Sequence, residues 1–325
     1  MMKTAILILA GGGGHTSIAV ALAQNLCEKM EITFLVPKND LLSEKLLKKY
    51  GEIGHLLKPR DPFTPNYMFL LRFLLALIQS FFKVNSGFSL VISCGSNFGI
   101  PPALVAWLKG IPVINIESRV ALKKPSKTAK LLKPFSILTI LQWNEQADNL
   151  KGVVSGPILP QPEFESRKKG YILVTGGTQG HKRLFDALSK SDIKGIVMQT
   201  GKVNPEPYRK KHPEWKIFSI SENFQEILAG ADIVITHQGG GTIFEAILYK
   251  KPLIIVQNPE LRRTADKEDM ELLARKVNAI FLTEINTEKI IEVISTLKDH
   301  SPIELPNGTE NVTNIILQKL HEYNS

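Results

Sequence analysis

A histidine follows four consecutive glycines in "LILAGGGGHTSIAVALAQNL", Leu7 to Leu26. Glycines after a strand let a ligand approach the backbone, and a helix starting behind them offers unpaired amides and its positive dipole end to a phosphate. Gly13 and Gly14 are therefore candidate ligand contacts. His15 stands at the mouth of the loop. An imidazole with a pKa of about 6.5 suits a general base at neutral pH, while a histidine there also fits a hydrogen-bonding role at the helix start. Glu117, in "NIESR" at the end of an apolar strand, is the competing base; it also fits as a group that orients His15 or binds a substrate, or as a carboxylate paired with Arg119.

A further glycine cluster lies in "ADIVITHQGGGTIFEAILYKKPLIIV". Here a strand runs through His237 and Gln238 into Gly239, Gly240, Gly241 and Thr242, with Glu245 a turn into the helix. That spacing suits a diphosphate on the helix start and a carboxylate on ribose hydroxyls; an acid favouring the helix dipole is the structural alternative. The first loop is not a dinucleotide fingerprint, because Thr16 stands where the third glycine belongs, and no Gly-Lys-Ser/Thr follows to make a P-loop. No Asp-x-Asp pair and no metal-ligand spacing occur, so neither metal nor cofactor is expected and a diphosphate must rest on amides, dipole and basic side chains. His181 reads as a surface or helix-start residue.

The elements that hold these groups follow a βαβ rhythm. Apolar, β-branched runs ("AILILA", "EITFLV", "SLVIS", "IPVINI", "YILVTG", "GIVMQTG", "ADIVITHQ", "PLIIV") alternate with helical stretches. Lys3–Thr16 and Lys169–His181 repeat one pattern of strand, glycines, histidine and helix. An α/β chain with two Rossmann-like domains facing a cleft is the economical reading, and 325 residues accommodate two domains of about 150 each. The proline-bearing, charged segment Gly156–Gly170 marks the boundary, dividing the chain into residues 1–158 and 159–325. The final "VTNIILQKLHEY" can pack on either domain. The opening apolar run is too short for a signal peptide and ends in glycines, so it reads as a first strand. Two cysteines, Cys27 and Cys94, imply a reducing compartment without a disulfide framework.

A net charge of +9 calls for an anionic partner. With 7% aromatic residues and no nucleic-acid module, the partner is not nucleic acid. "VALKKPSKTAKLLKPF" carries Lys123, Lys124, Lys127, Lys130 and Lys133 without an acid; it fits a solvated face or a surface for lipid diphosphate and anionic membrane. "YMFLLRFLLALIQSFFK", Tyr67–Lys83, is interrupted by Arg72 and Gln79 and falls short of a bilayer span. On a helix, Arg72, Ala76, Gln79, Ser80 and Lys83 form one stripe. Phe69, Phe73, Leu77, Phe81 and Phe82 belong to the broad apolar face around it. This pattern suits a helix in the membrane interface or one half-buried in the first domain.

Several motifs in order also resemble a known family. "ENFQEILAGADIVITHQGGGTIFEAILYKKPLIIVQNPELRRTADKEDMELLA" resembles the catalytic subunit of the eukaryotic two-subunit UDP-N-acetylglucosamine transferase, which adds the second GlcNAc to dolichyl-diphosphate-GlcNAc. The "GGH" loop, "CGSNFGIPPALVAWLKG", "INIESRV" and "ILQWNEQADNLKGVVSGPIL" are similar to its membrane-anchoring partner, as if both subunits were fused. "VTGGTQGHKRLFDAL" and "MQTG" resemble the related bacterial cell-wall precursor GlcNAc transferase.

This resemblance implies the glycosyltransferase B fold, an inverting UDP-GlcNAc-dependent enzyme of N-glycan precursor assembly, and a peripheral place on the cytoplasmic membrane face. It implies donor contacts at Gly176, Gly177, Thr178, Gly201, Gln238, Gly239–Gly241, Thr242, Glu245 and Asp269. Acceptor contacts are implied at Gly13, Gly14, Arg119, Lys123 and Lys124. His237 matches a "SHAG" pattern and also fits a structural role. Relatives often carry Gln where this chain reads Lys267, Glu268, Asp269, which leaves open another UDP-sugar in a polysaccharide pathway. A non-catalytic nucleotide-sugar-binding scaffold is the reading from a different class.

Overall fold

The computed structural model describes residues 4–61, 64–261, 265–297 and 303–324. Within them the chain divides into two units, Met1–Gln161 with Pro306–Ser325, and Pro162–Leu305. The division thus falls just beyond the boundary drawn from composition, and the last helix goes with the first unit.

The first unit holds strands β1 (Ala5–Leu9), β2 (Glu31–Pro37), β3 (Glu52–Leu56), β4 (Leu90–Ser93), β5 (Val113–Ile116), β6 (Leu138–Leu141) and β7 (Val153–Val154). Its helices are α1 (Gly14–Leu26), α2 (Leu41–Leu47), α3 (Asn66–Lys83), α4 (Ile100–Leu108) and α5 (Lys127–Leu132). The second unit holds β8 (Ile172–Thr175), β9 (Ile196–Gln199), β10 (Lys216–Phe218), β11 (Ile233–His237), β12 (Leu253–Val256) and β13 (Ile280–Leu282). Its helices are α6 (Lys182–Leu188), α7 (Glu206–Lys211), α8 (Phe224–Gly230), α9 (Gly240–Leu248), α10 (Lys267–Lys276) and α11 (Thr287–Leu297); α12 (Thr309–Asn324) closes the first unit.

Among the described residues the sheets have seven strands in the order β3-β2-β1-β4-β5-β6-β7 and six in the order β10-β9-β8-β11-β12-β13. Their pairings are parallel throughout. The central strands are mostly apolar because helices cover both faces of the sheet; β1 is apolar throughout, while β4, β8 and β11 turn polar only at their carboxyl ends, at Ser93, Thr175, and Thr236 with His237. In β1, Ile6 and Ile8 join a core with Ile18 and Leu22 of α1 and Val312, Ile316 and Leu320 of α12. Leu7 and Leu9 point the other way, into a core with Phe98 and with Ala103 and Ala106 of α4. The place of α12 in the first of these cores answers what its sequence left open: its apolar stripe completes the α1 face. The strands not anticipated, β3, β6, β7, β10 and β13, are short or carry charged residues and lie toward the sheet edges.

Helix α3 turns its stripe of small and polar residues toward the protein. Ala76 and Ser80 of that stripe are its buried residues, with the Ser80 hydroxyl donating to Ala76 O at 2.6 Å. Small side chains let α3 lie close on its support, and Phe73 and Leu77 pack on the core beneath while Phe69 is half-buried. The larger residues Leu70, Leu71, Leu74, Leu75, Ile78, Phe81 and Phe82 are exposed. Of the five residues expected in the apolar membrane face, Phe81 and Phe82 stand free, whereas Phe69, Phe73 and Leu77 are partly committed to the protein. No helix among the described residues is long and apolar enough to cross a membrane.

Candidate active site

Each sheet reverses its strand order once near its middle, between β1 and β4 and between β8 and β11. Loops leaving neighbouring strands diverge at such a point and open a crevice at the strands' carboxyl ends, where ligands of parallel α/β sheets bind. The glycine clusters sit at these two points.

In the first unit, Gly12 (φ +87°) and Gly13 (φ +57°) turn the chain into α1, whose start has no side-chain cap. Gly13 is exposed, and a Cβ added there would meet nothing within 4 Å. His15 is half-buried with Nδ1 2.8 Å from Cys94 O. Donation to that carbonyl fixes the proton on Nδ1 and leaves the lone pair on Nε2, which bonds to no described residue. Close packing lowers the His15 pKa to about 4, with the Cys94 carbonyl opposing and the positive charges of Lys58 and Arg119 adding to the fall. The ring is neutral at pH 7.

The β4 loop is shaped around this ring. Gly95 (φ +89°) has no room for a side chain, since its Cβ would stand 2.9 Å from His15 Nδ1. Ser96 adopts φ +70°, ψ +148°, a conformation L-residues rarely hold, and presses so close to Gly11 that a Cβ there would meet it at 2.4 Å. Lys58, from the loop after β3, brings its ammonium within 3.8 Å of where a Gly12 Cβ would stand. Nothing local in "LLKPRDP" marks this lysine; the sheet order brings it to the glycine loop.

Glu117 and Arg119 differ from expectation. Glu117 is fully buried, and its Oε1 and Oε2 accept from the amides of Ser118 (2.6 Å) and Ser126 (2.9 Å). A carboxylate so enclosed closes the loop between Glu117 and Ser126 and is not presented to a substrate hydroxyl. Arg119 is also buried, with Nη2 donating to Gly14 O (2.9 Å) and Nη1 to Ile158 O (3.1 Å). Its guanidinium braces the glycine loop from behind. Lys123 and Lys124 are exposed, as are Lys127, Lys130 and Lys133.

In the second unit, Gly239 caps α9 without a side-chain bond, leaving Gly240 and Gly241 half-exposed and Thr242 buried. The His237 ring fills the space between two glycine loops: a Gly239 Cβ would lie 2.4 Å from its Cε1 and a Gly177 Cβ 3.0 Å from its Nε2. His181 stands at the start of α6, as one of its two readings had it, but is buried rather than on the surface. Its Nε2 and the His237 Nδ1 have no hydrogen-bond partner among the described residues. Burial pulls both pKa values to about 4; Arg183 adds to the effect at His181, where a bond to the Gln257 backbone opposes it, and His181 adds to it at His237.

Gly177 and Thr178 reach the surface, while Gly176 and Gly201 are buried behind them. A Gly201 Cβ would lie 2.5 Å from Gly177 O, so that glycine supports the loop from within. The Gln238 side chain is likewise committed inward, donating to Asn258 O (2.9 Å) and accepting from Asn258 N (2.7 Å). Glu245 lies half-exposed in the second turn of α9, beyond the first turn where the dipole acts most strongly. Asp269 is buried in the first turn of α10, its amide bonded to Asp266 Oδ1 at 3.0 Å.

Residues 171–320 match the model of the glycosyltransferase family 28 C-terminal domain. A UDP-N-acetylglucosamine--N-acetylmuramyl-(pentapeptide) pyrophosphoryl-undecaprenol N-acetylglucosamine transferase of Prochlorococcus marinus (strain MIT 9515) is 29% identical over 319 residues, covering 90% of this chain and 85% of that protein. The chain is a glycosyltransferase. The crystal structure of Acinetobacter baumannii MurG superposes with a TM-score of 0.66 at 19% identity, covering 97% of this transferase and 99% of that chain. The two Rossmann-like units are those of the glycosyltransferase B fold. A UDP-N-acetylglucosamine 2-epimerase also superposes, with a TM-score of 0.61 at 14% identity and coverage of 97% and 91%. Fold alone therefore does not choose the chemistry, and the site must.

Proposed function

We propose that this transferase moves N-acetylglucosamine from UDP-GlcNAc, with inversion, to a sugar hydroxyl on a polyprenyl-diphosphate-linked acceptor, and that this acceptor sugar is GlcNAc. The observation that carries the reading is His15: an accessible, neutral imidazole with its proton fixed on Nδ1, beside an open glycine loop. In the reaction, Nε2 takes the hydroxyl proton as the acceptor oxygen forms its bond to the anomeric carbon. The bond from that carbon to the diphosphate breaks on the opposite face, and UDP leaves with the electron pair. The start of α9 at Gly240–Thr242 holds the departing diphosphate, and Glu245 the ribose. Arg119 and the buried Glu117 keep the acceptor loop in shape.

The lipid-diphosphate acceptor is supported by the relatives' printed activity and by Lys58 and the exposed lysines from Lys123 to Lys133. GlcNAc as acceptor sugar, dolichol as its lipid and a part in N-glycan precursor assembly are supported by the "INIESRV" and "ILQWNEQ" resemblance. The exposed apolar face of α3 is the surface that would rest on the cytoplasmic leaflet.

The test supplies UDP-GlcNAc, UDP-glucose, UDP-galactose or UDP-glucuronic acid to the purified protein, with polyprenyl-diphosphate-GlcNAc or undecaprenyl-diphosphate-MurNAc-pentapeptide. A β-linked GlcNAc-GlcNAc lipid product is the expected result. Transfer to the MurNAc lipid alone would replace the acceptor assignment, and no transfer to either lipid would overturn the reading.

A further inference from the structure

The loop from Glu117 to Ala121 has no regular structure, yet its carbonyls are gripped by three side chains of "QWNEQ", residues 142–146. Gln142 Nε2 donates to Glu117 O at 2.6 Å, Trp143 Nε1 to Arg119 O at 2.8 Å, and Gln146 Nε2 to both Ser118 O (2.8 Å) and Ala121 O (2.7 Å). The amide oxygens are used as well: Gln146 Oε1 accepts from the backbone amides of Gln142 and Trp143, and Gln142 Oε1 from Ile158 N. All three residues are buried. Removing a donor from such a network leaves a buried carbonyl unpaired, so the loop must move or bear the cost.

The gripped segment is the one that reaches the reacting group. Arg119 is held through its own carbonyl, and its guanidinium donates to the carbonyl of Gly14, the residue before His15. We propose that Gln142, Trp143 and Gln146 are positioning residues for glycosyl transfer, fixing Arg119 and through it the turn that aims His15. This inference rests on the reading of His15 as the base. None of the three needs to touch substrate, and no local feature of the sequence marks them for this task.

The decisive variant is Gln146→Met, which removes the two bonds to Ser118 O and Ala121 O, frees the amides of Gln142 and Trp143, and adds no charge; Trp143→Phe removes one bond only. Three quantities are measured on each: kcat and donor KM with UDP-GlcNAc and polyprenyl-diphosphate-GlcNAc, UDP binding by calorimetry to count folded sites, and the His15 titration by NMR. The charged groups acting on His15 are Lys58 and Arg119, so a displaced Arg119 lets its pKa rise somewhat from about 4 while burial, the main cause, and Lys58 still hold it down.

For Gln146→Met the expected result is roughly a 10- to 100-fold fall in kcat per folded site, an unchanged donor KM, and an acid limb and His15 titration moved to higher pH. Trp143→Phe should give smaller changes of the same kind. If folded sites keep the wild-type kcat and His15 titration, the three residues only support the fold and the proposal fails. Should the wild-type enzyme transfer to neither lipid, the functional reading fails; the His15 titration still decides whether the network positions that ring.

Discussion

The first unit ends β1 in "GGGGH" and the second ends β8 in "GGTQGH", both at the point where strand order reverses, but their glycines and histidines serve different ends. Around His15 the outermost glycine, Gly13, faces open space, and the ring is tethered at one nitrogen with the other left available. Around His237 and His181 the glycines are small because neighbours crowd them, and the rings act as filler with unpaired nitrogens. A glycine run therefore carries two messages, room for a ligand or room for the protein itself. The atoms that a Cβ would meet tell them apart.

Replacing the histidines is the largest expected break in this comparison. His15→Ala should lower kcat by about 10³-fold with UDP binding intact, the loss typical of a removed general base. His237→Ala should instead weaken UDP binding and stability by opening space between two glycine loops. Equal kcat losses at unchanged UDP affinity in both variants would erase the distinction.

The glycines themselves sharpen it. Gly239→Ala drives a methyl to 2.4 Å from the His237 ring, so overpacking should cost about 1–3 kcal/mol of stability and reduce UDP affinity. Gly13→Ala meets no neighbour, so its cost is backbone strain alone: φ +57° with ψ −128° lies outside the left-handed well and is held readily only by glycine, at about 1–3 kcal/mol. It should act chiefly on acceptor KM. Denaturant titrations of the two variants, with UDP calorimetry, separate the cases.

The sequence made the inner strands and glycine turns of both sheets legible because buried parallel strands are apolar runs and their turns need glycine, whereas the short or charged strands β3, β6, β7, β10 and β13 gave no such run. Which way α3 faces was not legible: Ala76 and Ser80 carry no hydrophobic signal but are what close packing selects. Nor was the fate of Gln238 or Glu117: Gln238 is engaged by the backbone of Asn258, in a separate loop, and Glu117 by the amides of Ser118 and Ser126, which meet it only because the irregular loop between them folds back. His15 stood out because it closes its own glycine run. Lys58 did not, because only the β3-β2-β1 order carries it there.

Lys58 gives a milder test of the first site. Lys58→Met should raise acceptor KM several-fold and leave donor KM unchanged, as befits one partly exposed cation facing an anionic substrate. Because its charge helps to hold His15 below its usual pKa, the same variant should shift the acid limb of kcat upward. Lys58→Arg should restore much of both. A donor KM that rose in step with acceptor KM would place Lys58 outside the acceptor site.

The last effect concerns the buried rings of the second site and is read in stability alone. His181 and His237 titrate near 4 in the folded chain against an ordinary 6.5, so between these values the unfolded chain binds more protons. Acid then favours unfolding: their contribution is complete above about 6.5, falls as pH drops through the window, and falls no further below about 4. The thermal midpoint of the wild-type protein should decline accordingly. His181→Asn keeps a donor for the Gln257 backbone but cannot be protonated, so its midpoint should decline less steeply over the same range. The acid limb of kcat, which belongs to His15, should stay where it is. A variant with the wild-type stability slope would show that His181 is not the group whose protonation the folded second unit resists.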